Sequence, residues 1–179
     1  MNHSAELALH QYLRDAIDGK SKMSKDVIDK IKSDIGEALE KQFNEPEGKR
    51  EFKLRMSNVG RPKCQLWFEK NNPAQQEPLP TSFKINMIFG DMIEALLKGL
   101  LRAAGITFGD NKKVSLRLSD TEDISGEYDM LLDDKIDDVK SASHWSYENK
   151  FVDFYTLEQG DGFGYVPQLV GYAEAANKK

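Results

Sequence analysis

The apolar period of this chain changes once, at Gly105, and that change restricts what the chain can fold into. Before Gly105 the apolar residues recur at helical spacing. Residues 4–18 and 24–43, rich in Ala, Leu, Glu and Lys, are expected to be two helices separated by Gly19–Met23. Val27, Ile28, Ile31, Ile35 and Leu39 line one face of the second. Residues 84–104 carry the strongest helical pattern, with Ile93, Leu96, Leu97, Leu100 and Leu101 on one apolar face and Gly105 as the stop. Beyond it the alternation is that of strands: Val114–Leu118, Ser125–Leu132 and Lys135–Ser141, the last two joined by a tight Asp133-Asp134 turn. A final helix is expected from about Pro167 to Ala176, with Pro tolerated in its first turn. Helices, three strands and a helix specify an α/β fold around a mixed sheet.

Punctuation divides this order. Asn44–Gly48 is a breaker, which gives a helical N-terminal region over 1–45 and a core over 46–179. Lys70–Thr81, with Pro73, Pro78 and Pro80, is a polar loop, and Tyr147–Asp153 is either loop or a short element. The 179 residues suffice for one ordinary domain and a small appendage. No apolar run approaches the roughly 18–20 residues needed to span a bilayer, and the mixed-charge N-terminus lacks the apolar core of a secretory signal. Cys64 is the only cysteine, which excludes an internal disulfide and any cysteine-based zinc or iron–sulfur cage. A cytoplasmic location is expected. Gly160-Asp161-Gly162-Phe163-Gly164 lacks the Lys-Ser/Thr of a P-loop and is expected to be a flexible loop. His3, His10 and His144 show no ligand spacing, and there is no Gly-x-Ser-x-Gly nucleophile elbow.

A net charge of −5 argues against a polyanionic partner, but its distribution does not. Between Lys49 and Lys63 six basic residues (Lys49, Arg50, Lys53, Arg55, Arg61, Lys63) face one acid, Glu51. Between Ser119 and Asp138 nine acids face one base, Lys135. Phosphates neutralised in one place and a divalent metal held in another require this split, although a solvated surface also produces charge runs.

The chemistry concentrates in Gly126–Ser143, GEYDMLLDDKIDDVKSAS. A hairpin puts Asp129 on one strand and Asp138-Val139-Lys140 on the next. The strand period of two projects Asp138 and Lys140 from one face, where Asp129 meets them across the ladder. Two carboxylates and an ammonium converging on one sheet face are costly without a partner. A hard divalent cation such as Mg²⁺ removes that cost, since it prefers oxygen ligands and keeps several waters. One such water can attack a phosphodiester while Lys140 orients it and offsets developing charge. The competing reading is an acidic hairpin whose Lys140 makes ordinary cross-strand ion pairs.

Four segments in order resemble the RecB-like branch of the PD-(D/E)xK nucleases, which includes phage exonucleases and the nuclease of CRISPR adaptation. Ser57–Phe68 (SNVGRPKCQLWF) is similar to the motif ahead of the core, and Gly90–Glu94 (GDMIE) to the first core helix with its metal-site glutamate. Gly126–Ser143 carries the paired carboxylates and lysine, followed by the Ser-Ala-Ser seen in phage exonucleases. Gln168–Tyr172 (QLVGY) matches the Gln-x-x-x-Tyr motif of the helix behind the active site. The resemblance spans residues 57–172 and implies a restriction-endonuclease-like core, a mixed central sheet flanked by helices.

It further implies a Mg²⁺-dependent deoxyribonuclease, with Mn²⁺ able to substitute. Asp129 and Asp138 ligate the metal, Glu94 assists, Val139 sits between them at the metal, and Lys140 positions the attacking water. Gln168 and Tyr172 contact the DNA backbone or steady the lysine, while Arg55, Arg61 and Lys63 grip DNA. The expected activity is that of a phage-type exonuclease on duplex ends in a bacterial host cytoplasm, with a phage or host recombination protein as a further partner. The alternatives are a structure-selective endonuclease and a non-catalytic nucleic-acid-binding protein on the same fold. Glu94 has a plainer role open to it, an i,i+4 salt bridge to Lys98. Two departures stand out. Asp91 occupies the position where many members have a metal-ligating histidine, either as an oxygen ligand or as a helix cap. The chain also ends soon after Tyr172, where the family adds a strand, so the sheet is small or the sequence is a piece of a longer protein.

Overall fold

The computed structural model describes residues 3–44 and 52–178. In chain order the elements are α1 (Ser4–Ile17), α2 (Lys25–Phe43), α3 (Lys63–Asn71), α4 (Thr81–Ala103), β1 (Lys112–Arg117), β2 (Asp123–Tyr128), β3 (Met130–Leu132), β4 (Lys135–Asp137), α5 (His144–Asn149), α6 (Phe154–Gln159) and α7 (Tyr165–Ala176). Single 3-10 turns at Met56–Asn58 and Pro73–Gln75 flank α3. The described residues are therefore mixed α/β, with seven helices and two small sheets. No described helix is long and apolar enough to cross a membrane.

The chain divides into two units, residues 1–47 with 79–107 and residues 48–78 with 108–179. The first is helical: α4 joins the N-terminal helices, which carries that region well past the expected boundary at residue 45. The breaker itself, after Asn44, and the first three charges of the basic run (Lys49, Arg50, Glu51) lie outside the described residues.

Within this unit α2 begins at Ser24, whose hydroxyl accepts the Val27 N–H and so satisfies one free donor of the first turn. Its half-buried Ile31 packs onto α4 at Gly99, where a Cβ would lie 2.2 Å from Ile31 Cγ1. That glycine decides which side of α4 faces inward. The buried residues are Ala95, Lys98, Gly99 and Leu101, whereas Ile93 and Leu96, expected on the apolar face, are exposed. The apolar stripe of the sequence thus departs from the buried one, because close backbone approach at Gly99 outranks side-chain bulk. Asp91 lies in the middle of α4, not at its N-terminus, and its carboxylate accepts from Gln42 Nε2 at 2.7 Å. It is not a helix cap.

The second unit holds both sheets. β1 and β2 pair antiparallel, Lys112 opposite Tyr128 through Arg117 opposite Asp123. β3 and β4 form a separate hairpin, Met130 opposite Asp137 and Leu132 opposite Lys135. Its turn is the expected Asp133-Asp134 pair, both left-handed with φ of 49° and 61°, as a two-residue type I′ hairpin demands. Isolated bridges add Arg55 beside Ser125, parallel, and Gly109 beside Leu131, antiparallel.

The expected single sheet is thus two, because the chain breaks at Asp129 between β2 and β3. The core of this unit is Met56, Ile124, Tyr128, Ile136 and Tyr172. Each such apolar side chain, removed from water, stabilises the fold by about 1.5–3 kcal/mol. Gly126 makes room for this packing, since a Cβ there would lie 2.5 Å from Tyr172 Cε1.

Candidate active site

Asp129 stands at the break between β2 and β3, one step beyond the Met130–Asp137 pair, and so opposite Asp138 in an extended register. Its Oδ2 accepts the backbone N–H of Val139 at 2.7 Å. That bond explains why β4 stops at Asp137 instead of running to Ser141 as expected. The amide that would extend the ladder is turned to a carboxylate, and Asp138-Val139-Lys140 leaves the sheet. The strand alternation invoked for Asp138 and Lys140 therefore does not act there, yet the two side chains still meet. Lys140 Nζ forms an ion pair with Asp138 Oδ2.

The electrostatics tie the three groups together. Burial works against the charge on Lys140, but the adjoining Asp138 carboxylate, with Asp129 near it, holds the ammonium above the usual lysine range. Lys140 also sits over the Tyr165 ring, 5.9 Å from its centroid. Behind the group stands α7. Gln168 Nε2 donates to the Tyr172 hydroxyl at 2.9 Å, and both side chains are buried, Gln168 at 8% and Tyr172 at 3% exposure. Burial pushes the Tyr172 phenol up, the Gln168 hydrogen bond pulls it down, and the charge of Asp138 adds to the rise.

The other expected residues have the following partners. Glu94 is on α4 in the helical unit, where its Oε1 pairs with Lys98 Nζ at 2.6 Å, the i,i+4 bridge named above. Arg61 pairs with Glu69 at 3.7 Å, while Arg55 and Lys63 are exposed. The Arg55 N–H donates to Asn58 Oδ1 at 2.8 Å. Cys64 is exposed.

Several residues that bear on the site carry no local signal in the sequence. The Gly160–Gly164 loop is fastened rather than loose: Asp161 accepts from the N–H groups of Tyr165 and Val166, each at 2.8 Å, and so caps α7. Gly164, at φ 77°, lies so close to Gly60 that a Cβ on Gly60 would be 2.4 Å from Gly164 Cα. The segment after Lys140, expected as loop in part, forms α5 and α6. Ser141, Ser143, Ser146, Lys150 and Tyr165 help line a cavity of about 90 Å³ there.

Among the described residues no three His, Cys, Asp or Glu side chains gather closely enough to hold a metal ion. The group has two carboxylates and adjacent backbone, a hard oxygen donor set. Mg²⁺ binds through one or two carboxylates and keeps the rest of its shell as water, so Asp129 and Asp138 fit that ion. No protein-family model matches this chain, and no curated protein or solved structure matches it.

Proposed function

We propose that the chain is a Mg²⁺-dependent nuclease that hydrolyses DNA phosphodiesters, on a core of the restriction-endonuclease kind. The single observation that supports this reading is the convergence of Asp129, Asp138 and Lys140 at the end of the β3–β4 hairpin, with the Asp129 carboxylate on the amide between the other two. An acidic hairpin built only for the surface has no need to draw a lysine side chain and two carboxylates into one partly buried group.

Asp129 and Asp138 would hold the ion, which when bound supplies a Lewis acid that lowers the pKa of water and neutralises phosphate charge. Lys140 remains an ammonium across the neutral range, so it orients and stabilises charge and does not act as a base. Asp129, through Val139, fixes the backbone that carries both other groups. The buried Gln168–Tyr172 pair supports the side of the group away from solvent, which favours the steadying role over contact with DNA. Glu94 as an additional metal ligand rests on the resemblance of GDMIE.

The phage-type exonuclease is the finer reading within this class, and a structure-selective endonuclease shares the same chemistry. Purified protein given linear and closed-circular duplex in Mg²⁺ decides between them: an exonuclease degrades only the linear form. Asp138→Asn and Lys140→Ala should each lower turnover at least about a hundredfold, the lower end of what one positioned acid–base or electrostatic group contributes. Undiminished cleavage in excess chelator removes the metal from the mechanism.

A further inference from the structure

We infer that Tyr165 is the positioning residue of Lys140, an inference whose catalytic part rests on the nuclease reading above. A lysine side chain has four rotatable carbons, and an ion pair to Asp138 fixes only its tip. The face of an aromatic ring restrains the ammonium from a second direction, since its negative quadrupole attracts a cation within about 6 Å of the centroid. Lys140 Nζ lies 5.9 Å from the Tyr165 centroid.

The ring is itself held. Phe163 stacks on it at 5.7 Å and 23°, and Phe151 lies against it at 6.0 Å. Its backbone N–H is bound by Asp161 Oδ1. One residue earlier, Gly164 takes the left-handed conformation that turns the chain into α7, and it does so pressed against Gly60. A path of direct contacts therefore runs from the Ser57–Phe68 segment through Gly60, Gly164 and Tyr165 to the ammonium. Tyr165 touches no reacting group in this scheme and acts through Lys140 alone. Its hydroxyl is not required: the ring face does the work, so Phe should replace it and an aliphatic residue of similar bulk should not.

The test reads the lysine directly. In protein with isotopically labelled lysine, the ε-methylene proton resonance of Lys140, identified by its loss in Lys140→Arg, should be displaced upfield by the ring current of Tyr165. The displacement should persist in Tyr165→Phe and vanish in Tyr165→Leu. On linear duplex in Mg²⁺, Tyr165→Leu should lose about tenfold in kcat with KM for DNA unchanged, the size expected of a partly desolvated cation–π contact. Tyr165→Phe should retain the wild-type kcat. A wild-type resonance at the ordinary lysine position overturns the inference without any variant being made, as does a Tyr165→Leu protein whose kcat equals that of Tyr165→Phe. Wild-type protein that cleaves no DNA overturns the nuclease reading instead, and the contact then stands or falls on the resonance.

Discussion

The Asp129 carboxylate takes the amide hydrogen of Val139, which gives it a structural duty besides any metal. Asp129→Ala leaves that N–H without its acceptor in a half-buried position, a loss of about 1–3 kcal/mol. Asp138→Ala removes an ion-pair partner of Lys140, at a cost of about 0–1 kcal/mol for a lysine side chain that is 32% exposed. Urea denaturation of both variants should therefore separate them, with Asp129→Ala the less stable, while both lose cleavage. Equal stabilities would mean that the Val139 bond carries no weight. The three residues themselves were legible in the sequence, because carboxylates and a lysine around a two-residue turn are brought together by covalent proximity alone. Tyr165 was not legible: 25 positions separate it from Lys140, and only the turn at Gly164 closes that distance.

Among the elements, α4 and α7 were both readable as helices, but the faces they bury were not equally so. On α7 the buried pair is Gln168 and Tyr172, spaced one turn apart as the Gln-x-x-x-Tyr motif requires. On α4 the stripe of large apolar residues misleads, since the inward side is set by Gly99 and carries Lys98 at 3% exposure. Glu94 pairs with this deeply placed ammonium, and Glu94→Gln should lower stability for that reason, apart from any metal. A loss of cleavage in Glu94→Gln therefore needs a second measurement. If Glu94 also ligates metal, the rise in Tm produced by Mg²⁺ should shrink in this variant; an unchanged rise leaves Glu94 a structural partner of Lys98. The break between β2 and β3 escaped the sequence because the alternation of Glu127, Tyr128, Asp129 and Met130 runs straight through it. What divides it is a change of partner at Asp129, from β1 on one side to β4 on the other.

At the scale of the molecule, the charge split retains its meaning on narrower ground. Arg61 is engaged with Glu69, so Lys53, Arg55 and Lys63, all exposed, are the described residues of the basic run best placed to meet phosphates. Arg55→Ala combined with Lys63→Ala should flatten the slope of log K against log salt by about one to two units on duplex, measured in Ca²⁺ to prevent cleavage. An unchanged slope makes them ordinary surface charges. Stability against pH draws on groups held above their usual ranges, Lys140 and Tyr172 among them. A raised folded pKa gives stability that is fully present below the unfolded value, about 10 for both, and is lost as pH climbs through the folded one. Thermal melts should thus show no loss from these groups between pH 7 and about 10. The alkaline fall should be shallower in Tyr172→Phe. A decline that is equal in wild type and variant takes Tyr172 out of the account.

The interleaving of the two units along the chain has a consequence for biosynthesis. The helical unit has its last residue at 107, while the other begins near residue 48 and still needs α7, which delivers Tyr172 to its core and Gly164 to its contact with Gly60. On the ribosome, where earlier segments fold first, α2 and α4 can close around Gly99 while Met56 and Gly60 wait for Tyr172 and Gly164, more than a hundred positions downstream. Until α7 emerges, the β1–β2 and β3–β4 hairpins stand without their cover. The nascent chain is then most exposed to aggregation and proteases in the interval before α7 emerges, when both hairpins have already been made.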